Sequence, residues 1–337
     1  MSRARIGLRH PLGASAVAAL VTVLAACGSS SSAGSTSVAA KAGGTTHVAV
    51  AAQAGAPFTA VTIDVPQVDA IRAKLPQSLR DSGELRIGVG ALPAGFPPLA
   101  FVGTDQKTLT GSEPDLGRLV ASVLGLKPVV SNATWENLFV GFDSGRTDVG
   151  FSNITDTEKR KEKYDFASYR QDNLGFEVNK ASTWNFDGRY ENLAGLRVSV
   201  SRGTNQEKIL LEWDKENTAH GLAPVKVEYF ENDGDTILAL QSGRIDVSFG
   251  PNPTAAYKAS VSPKDFKVVG TLNGGWPATA QIAVGSLKGT GLAPAVTAAL
   301  NHAFADGTYG QVLARWGLTS EAIERSETNP PGLPKSS

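Results

Sequence analysis

Cys27 is the sole cysteine of this 337-residue chain, which rules out an intramolecular disulfide and a metal–thiolate cluster. The four histidines, His10, His47, His220 and His302, show no metal-ligand spacing, and no zinc site is expected. There is no Gly-x-Ser-x-Gly nucleophile elbow and no phosphate-binding glycine loop. Glu113, Asp115 and Asp156 lie near loops that could host proton transfer, but helix and turn capping accounts for acids at such places. These residues give catalysis little to work with. The expectation is a protein that is not an enzyme and carries no cofactor.

The elements that would position a recognition site show in an internal near-repeat. Leu85-Arg86-Ile87-Gly88-Val89 is echoed by Leu196-Arg197-Val198-Ser199-Val200, and the stretch from Ser144-Gly145-Arg146 to Phe151 by that from Ser242-Gly243-Arg244 to Phe249. Both pairs read as strands, with a Ser-Gly-Arg turn before each strand of the second pair. Helical spacing runs through Leu116, Leu119, Val120, Val123 and Leu124, with Pro114 near the start and Gly125 as C-cap. Residues 135–143, 204–216 and 234–241 are further helix candidates, and 68–79 packs before the first strand. Strands alternating with helices predict βαβ units in two similar lobes, an α/β fold. A strand over 278–284 and helices over 292–305 and 308–316 follow an already complete second lobe, so the chain is expected to return to the first. That assigns 61–172 and 275–325 to lobe 1 and 173–274 to lobe 2, with crossovers near 170–175 and 272–276 acting as a hinge. Ligands of open α/β sheets bind beyond the carboxyl ends of the strands. The facing loops 91–98 and 153–160 of lobe 1 and 202–205 and 250–253 of lobe 2 should therefore form a cleft site.

The 32 basic and 32 acidic residues cancel, and no basic stripe marks a nucleic-acid partner. Arg3, Arg5 and Arg9 precede an apolar run, Leu12 to Ala26, too short for a typical membrane span. Leu24-Ala25-Ala26-Cys27 resembles a bacterial lipobox, in which the cysteine is acylated and becomes the new N-terminus. Residues 1–26 then read as a signal peptide and Cys27 as a lipid anchor to the membrane. Residues 27–60, rich in Ser, Gly, Ala and Thr, read as a flexible tether. Residues 326–337, with Pro330, Pro331 and Pro334, read as a frayed, disordered tail.

Several stretches together, in order and spacing, are similar to the polar-amino-acid type of bacterial extracellular solute-binding protein. They are Gly111-Ser112-Glu113-Pro114-Asp115-Leu116, Trp135-Glu136-Asn137-Leu138, the run from Ser152 to Arg160, Gly203-Thr204-Asn205-Gln206-Glu207, and Asp306-Gly307-Thr308-Tyr309-Gly310 followed by Trp316-Gly317. The resemblance spans roughly residues 80 to 318 and implies a two-lobed periplasmic-binding-protein-like fold. It further implies capture of an amino acid or related carboxylate outside the cytoplasm, for delivery to an ABC permease.

By the same resemblance, Arg160 grips the ligand carboxylate, a role suited to a planar guanidinium that pairs bidentately and keeps its charge. Asn153 and Thr155 support that carboxylate, Phe96 and Trp135 supply aromatic walls, and Thr204 and Asn205 open a helix whose free N–H groups favour anions. Trp316 is assigned to the core. One position departs from the pattern. Pro251 stands where the family has an aspartate for the ligand α-ammonium, and the neighbouring Asn252 is the ligand-binding candidate there, able to accept one hydrogen bond but neutral. The expectation is a carboxylate ligand without a standard α-ammonium, or a substitute acid elsewhere. The rival readings are a cyclic-acid dehydratase-like enzyme on the same fold and a ligand-sensing surface lipoprotein.

Overall fold

The computed structural model describes residues 46–48, 61–92, 95–103, 107–230 and 232–335. All belong to one compact unit, Ser37–Ser337. The signal peptide, Cys27 and nearly all of the tether lie outside the described residues.

Two five-stranded sheets form the frame. Lobe 1 contains β1 (Glu84–Val89), β2 (Lys127–Asn132), β3 (Val149–Thr155) and β4 (Tyr164–Gln171). Lobe 2 contains β5 (Asn173–Asn179), β6 (Arg197–Val200), β7 (Lys226–Tyr229), β8 (Val247–Pro251) and β9 (Phe266–Asn273). The chain then returns as β10 (Gln281–Leu287). The strand orders are β2-β1-β3-β10-β4 and β7-β6-β8-β5-β9. In each sheet three strands are parallel, and the strand that has just crossed from the other lobe, β10 or β5, lies antiparallel beside them. The crossovers are residue 172 and residues 274–280.

The repeat has a physical cause. Its paired segments are neighbouring parallel strands, with Ile87 opposite Val149 and Val198 opposite Val247. In both lobes the arginine of the first strand grips the aspartate before the second: Arg86 Nη2 lies 2.5 Å from Asp148 Oδ1, and Arg197 Nη2 lies 2.6 Å from Asp246 Oδ1. Each aspartate also accepts the arginine's backbone N–H at 2.8 Å. The recurring Leu-Arg and Arg-x-Asp signatures thus pin the strand register twice.

The helices are α1 (Ser112–Val123), α2 (Trp135–Asp143), α3 (Asn205–Ala219), α4 (Asp233–Gln241), α5 (Asn252–Val261), α6 (Leu292–Ala305) and α7 (Thr308–Arg315). The apolar stripe of α1 packs with Val296, Leu300, Val312 and Leu313 from α6 and α7 in the main core of lobe 1, so the last two helices complete the first lobe. Trp316 is buried there, edge-on to Phe101. In lobe 2, Trp213 and Phe249 stack around Phe176.

Three expectations need correction. The stretch 68–79 is two short helices, Asp69–Arg72 and Gln77–Ser82, because Pro76 disfavours helical backbone at Leu75. The returning strand starts at Gln281 rather than 278, since Asn273 Oδ1 accepts from the backbone N–H of both Gly275 and Ala280 at 2.8 Å and folds 274–280 into a turn. The largest correction concerns the C-terminal tail, which is packed rather than frayed. Strand β4 lies at a sheet edge, and the tail covers it. Ser168 N–H donates to Glu327 O at 3.0 Å, and Asn329 N–H donates to Phe166 O at 2.9 Å. Farther on, Leu333 bonds the backbone of Asp156 and Glu158 in lobe 1 while its side chain is buried in the lobe 2 core. The prolines suit a segment held by isolated bridges rather than a continuous ladder.

Candidate functional site

The strand ends meet as the topology requires, and a cavity of about 90 Å³ lies between the lobes. Lobe 1 contributes Gly90, Phe96, Trp135, Ser152 and Asn153, and lobe 2 contributes Ser201, Thr204, Asn205, Gln206 and Pro251. The loop carrying Phe96 is tied to the start of α1 by a close backbone approach. A Cβ at Gly111 (φ +119°) would meet Leu99 O at 2.3 Å, so only glycine fits. Thr204 caps α3, accepting from Glu207 N–H at 3.3 Å and donating to Ser201 O at 2.6 Å. Asn205 Nδ2 donates to Gly274 O at 2.9 Å and Asp172 Oδ2 at 3.3 Å, which ties the helix start to both crossovers.

Arg160 reaches from one lobe to the other. Its Nη1 donates to Thr155 O at 2.9 Å, and its Nη2 donates across the cleft to Gly203 O at 3.3 Å. Trp135 Nε1 donates to the same carbonyl at 3.4 Å. The guanidinium carbon lies 5.1 Å from the Trp135 ring centroid and 5.5 Å from that of Phe139. Among the described residues the Arg160 guanidinium has no carboxylate within 4.0 Å, although Asp156 and Asp172 act on it at longer range. Burial brings its pKa down to about 10, so it stays cationic at neutral pH.

Beneath the cleft lies a buried ionic group. Arg170 bonds Glu113, Glu321 and Asn153, and Glu113 also accepts the Tyr169 hydroxyl. Asn153 holds positive φ (50°), an uncommon backbone state outside glycine, and its side-chain oxygen is taken by Arg170. Thr155 is buried; its carbonyl serves Arg160 and its hydroxyl serves Asp172. Asn252 is not part of the cleft wall. Its Nδ2 donates to Glu321 Oε1 at 3.2 Å, because it begins α5 and points toward the C-terminal segment. Glu113 and Asp115 do not cap with their side chains. Glu113 joins the ionic group, and Asp115 pairs with Arg118 and accepts Trp316 Nε1. Asp156 pairs with Lys161 at 3.1 Å.

Asp172, at the first crossover, is held by burial at a pKa of about 6, up from 3.8. Between those values the folded protein keeps a proton that the unfolded chain has lost, so this group's contribution to stability falls as pH rises through the window and is level above it. Asp172→Asn is expected to melt about 3–6 °C above the wild type at pH 8, with the gap closing at pH 4. Melting curves across this range check it; a gap that is unchanged or widens toward pH 4 refutes it.

With this geometry in hand, the comparisons with known proteins fall into place. Residues 87–319 match the family model for bacterial extracellular solute-binding proteins, family 3, and the chain belongs to that family. It is similar to the arginine-binding protein ArgT of Corynebacterium glutamicum, 29% identical over 78% of this chain and 83% of that protein. The L-cystine-binding protein TcyJ of Escherichia coli is 31% identical over 51% of this chain and 60% of its own length. Among solved structures, an ancestral arginine-binding protein bound to arginine superposes with a TM-score of 0.61 at 27% identity, covering 69% of this chain and 98% of that one. The molecule is thus a two-lobed solute-binding protein that captures a small solute.

Sequence reasoning missed Ser201, Gln206 and Glu113 as lining residues, and it missed the buried acids and lysine of lobe 2. A signal was available for one of them: Glu177 interrupts the apolar run Leu174-Gly175-Phe176-Glu177-Val178, the mark of a buried charge.

Proposed function

We propose that this chain is the capture subunit of an ABC importer for an amino acid or related carboxylate, with Arg160 clasping the carboxylate between the lobes. The observation that carries the reading is the Arg160 guanidinium, set beside the cavity-lining Trp135, reaching the opposite lobe and without a carboxylate within 4.0 Å among the described residues. A desolvated cation of this kind is a strong site for a bidentate carboxylate. Trp135 and Phe96 supply the walls, and contacts from both lobes favour the closed state on binding. The relatives named above, binding proteins for arginine and cystine, agree with a ligand of this class. Calorimetry and thermal shift over amino acids, organic acids and small amides test the reading, with bound ligand recovered chemically unchanged. No binding by any carboxylate, or turnover of the ligand, defeats it.

The same reading places the protein outside the cytoplasm, held to the membrane by acylated Cys27. Cys27→Ala is expected to shift the mature protein from the membrane fraction to the soluble one by about tenfold or more, since the acyl chain is the attachment that this reading assigns to it. Fractionation of cells expressing both forms decides it, and an unchanged distribution counts against the anchor.

A further inference from the structure

We propose that a small chamber in lobe 2, opening off the cleft, receives a cationic, donor-rich end of the ligand such as an ammonium or guanidinium. This rests on the reading of the cleft as a carboxylate-capturing site. The chamber, about 70 Å³, is contiguous with the cleft: Phe96, Ser201, Gln206 and Pro251 line both.

Its inner wall is charged. Lys258 of α5 lies 2.7 Å from Glu177 Oε2 of β5 and 2.8 Å from Asp233 Oδ1 of α4. Among the described residues, one cation against two carboxylates leaves a formal charge of −1. A second observation is independent of that count. Among the described residues, Glu177 Oε1, Ser199 Oγ and Thr254 Oγ1 are buried without a hydrogen-bond partner, and all three residues face the chamber. Their residues are only 1%, 3% and 5% exposed. Unpaired buried acceptors of this kind carry a desolvation cost that a donor-bearing guest removes and an apolar guest does not. Burial also raises the Glu177 carboxyl from its ordinary value despite Lys258 beside it, so a further positive charge is welcome there.

The chamber also answers the substitution at position 251. Ser248 of β8 sits directly opposite Glu177 on β5, and Pro251 ends the same strand. The negative charge absent from the strand end is offered one strand away, deeper in lobe 2. It is placed to read the far end of a ligand whose carboxylate is held by Arg160.

The test uses the full chain and three probes that share one α-amino acid end: L-arginine, its uncharged near-isostere L-citrulline, and apolar L-norleucine. Calorimetry is expected to rank arginine about tenfold or more tighter than citrulline, with norleucine weakest. Glu177→Gln should bring arginine to within about threefold of citrulline, as its charge-assisted bond is lost. Thr254→Val and Ser199→Ala should weaken arginine and citrulline by about three- to tenfold and leave norleucine unchanged. These hydroxyls bond nothing among the described residues, so both variants are expected to fold and settle the matter even if Glu177→Gln does not. Norleucine binding as tightly as arginine, or an arginine preference that survives all folded variants, overturns the chamber while leaving carboxylate capture intact. Failure of every probe to bind the wild type overturns the chamber, and capture falls with it only when no carboxylate of the wider panel binds either.

Discussion

Arg160→Ala is expected to lower affinity for a carboxylate ligand by more than about a hundredfold, the cost of removing one partner from a desolvated charge pair. The fold should not notice. The side chain donates to two backbone carbonyls, Thr155 O and Gly203 O, and holds no ion pair within 4.0 Å among the described residues. The ligand-free melting temperature should therefore stay within about 2 °C, equivalent to less than 1 kcal/mol in a domain of this size. Arg160→Lys should recover only part of the affinity, since an ammonium offers the charge but not the planar fork. Calorimetry paired with a melting curve of the empty protein separates the two effects. An alanine variant that binds within about fivefold of wild type would take the central role away from Arg160.

Arg170→Met should act the other way round, striking stability first. Arg170 is 1% exposed and bonded to two buried carboxylates, Glu113 and Glu321. A lone apolar replacement strands both acids, a loss of about 3–5 kcal/mol for a broken buried pair. That corresponds to a fall in melting temperature on the order of 10 °C. Restoring neutrality in the triple variant Arg170→Met, Glu113→Gln, Glu321→Gln should recover much of the loss, because replacing a whole buried ionic group costs far less than breaking it. Binding should weaken in the single variant as well, since Asn153 loses the donor that fixes its side chain at the cleft. Circular-dichroism melts test the order of these values; a single variant within about 2 °C of wild type would show that the group is not held as described.

What the sequence made legible follows from how local each signal is. The two lobes could be read because Arg86 with Asp148 and Arg197 with Asp246 write the same strand-pinning contact twice, at similar spacing. The loops at the strand ends followed from topology alone, and Phe96, Trp135, Asn153, Thr204 and Asn205 do line one cavity. Side-chain direction could not be read in this way. Asn252 stands beside the cleft in sequence yet turns to Glu321, 69 positions away. Glu177, Asp233 and Lys258 meet only because a strand and two helices from separate parts of lobe 2 converge, and no motif links them. The tail misled for the opposite reason. Its composition favours disorder, but an unprotected strand edge and an apolar niche for Leu333 lie within its reach.

That last segment makes the ordinary picture of two bodies joined only at their crossovers incomplete. Leu333 is stitched to residues 156–158 by backbone bonds while its side chain lies beside Ile209 and Trp276, and Pro334 accepts from Lys208 on α3. Any swing that parts 156–158 from α3 has to strip this seam from one side. On the reading of a cleft that opens to release its guest, the seam at Leu333 and Pro334 would have to part as well as the contacts around the guest, like a door whose latch is mounted on the hinge side.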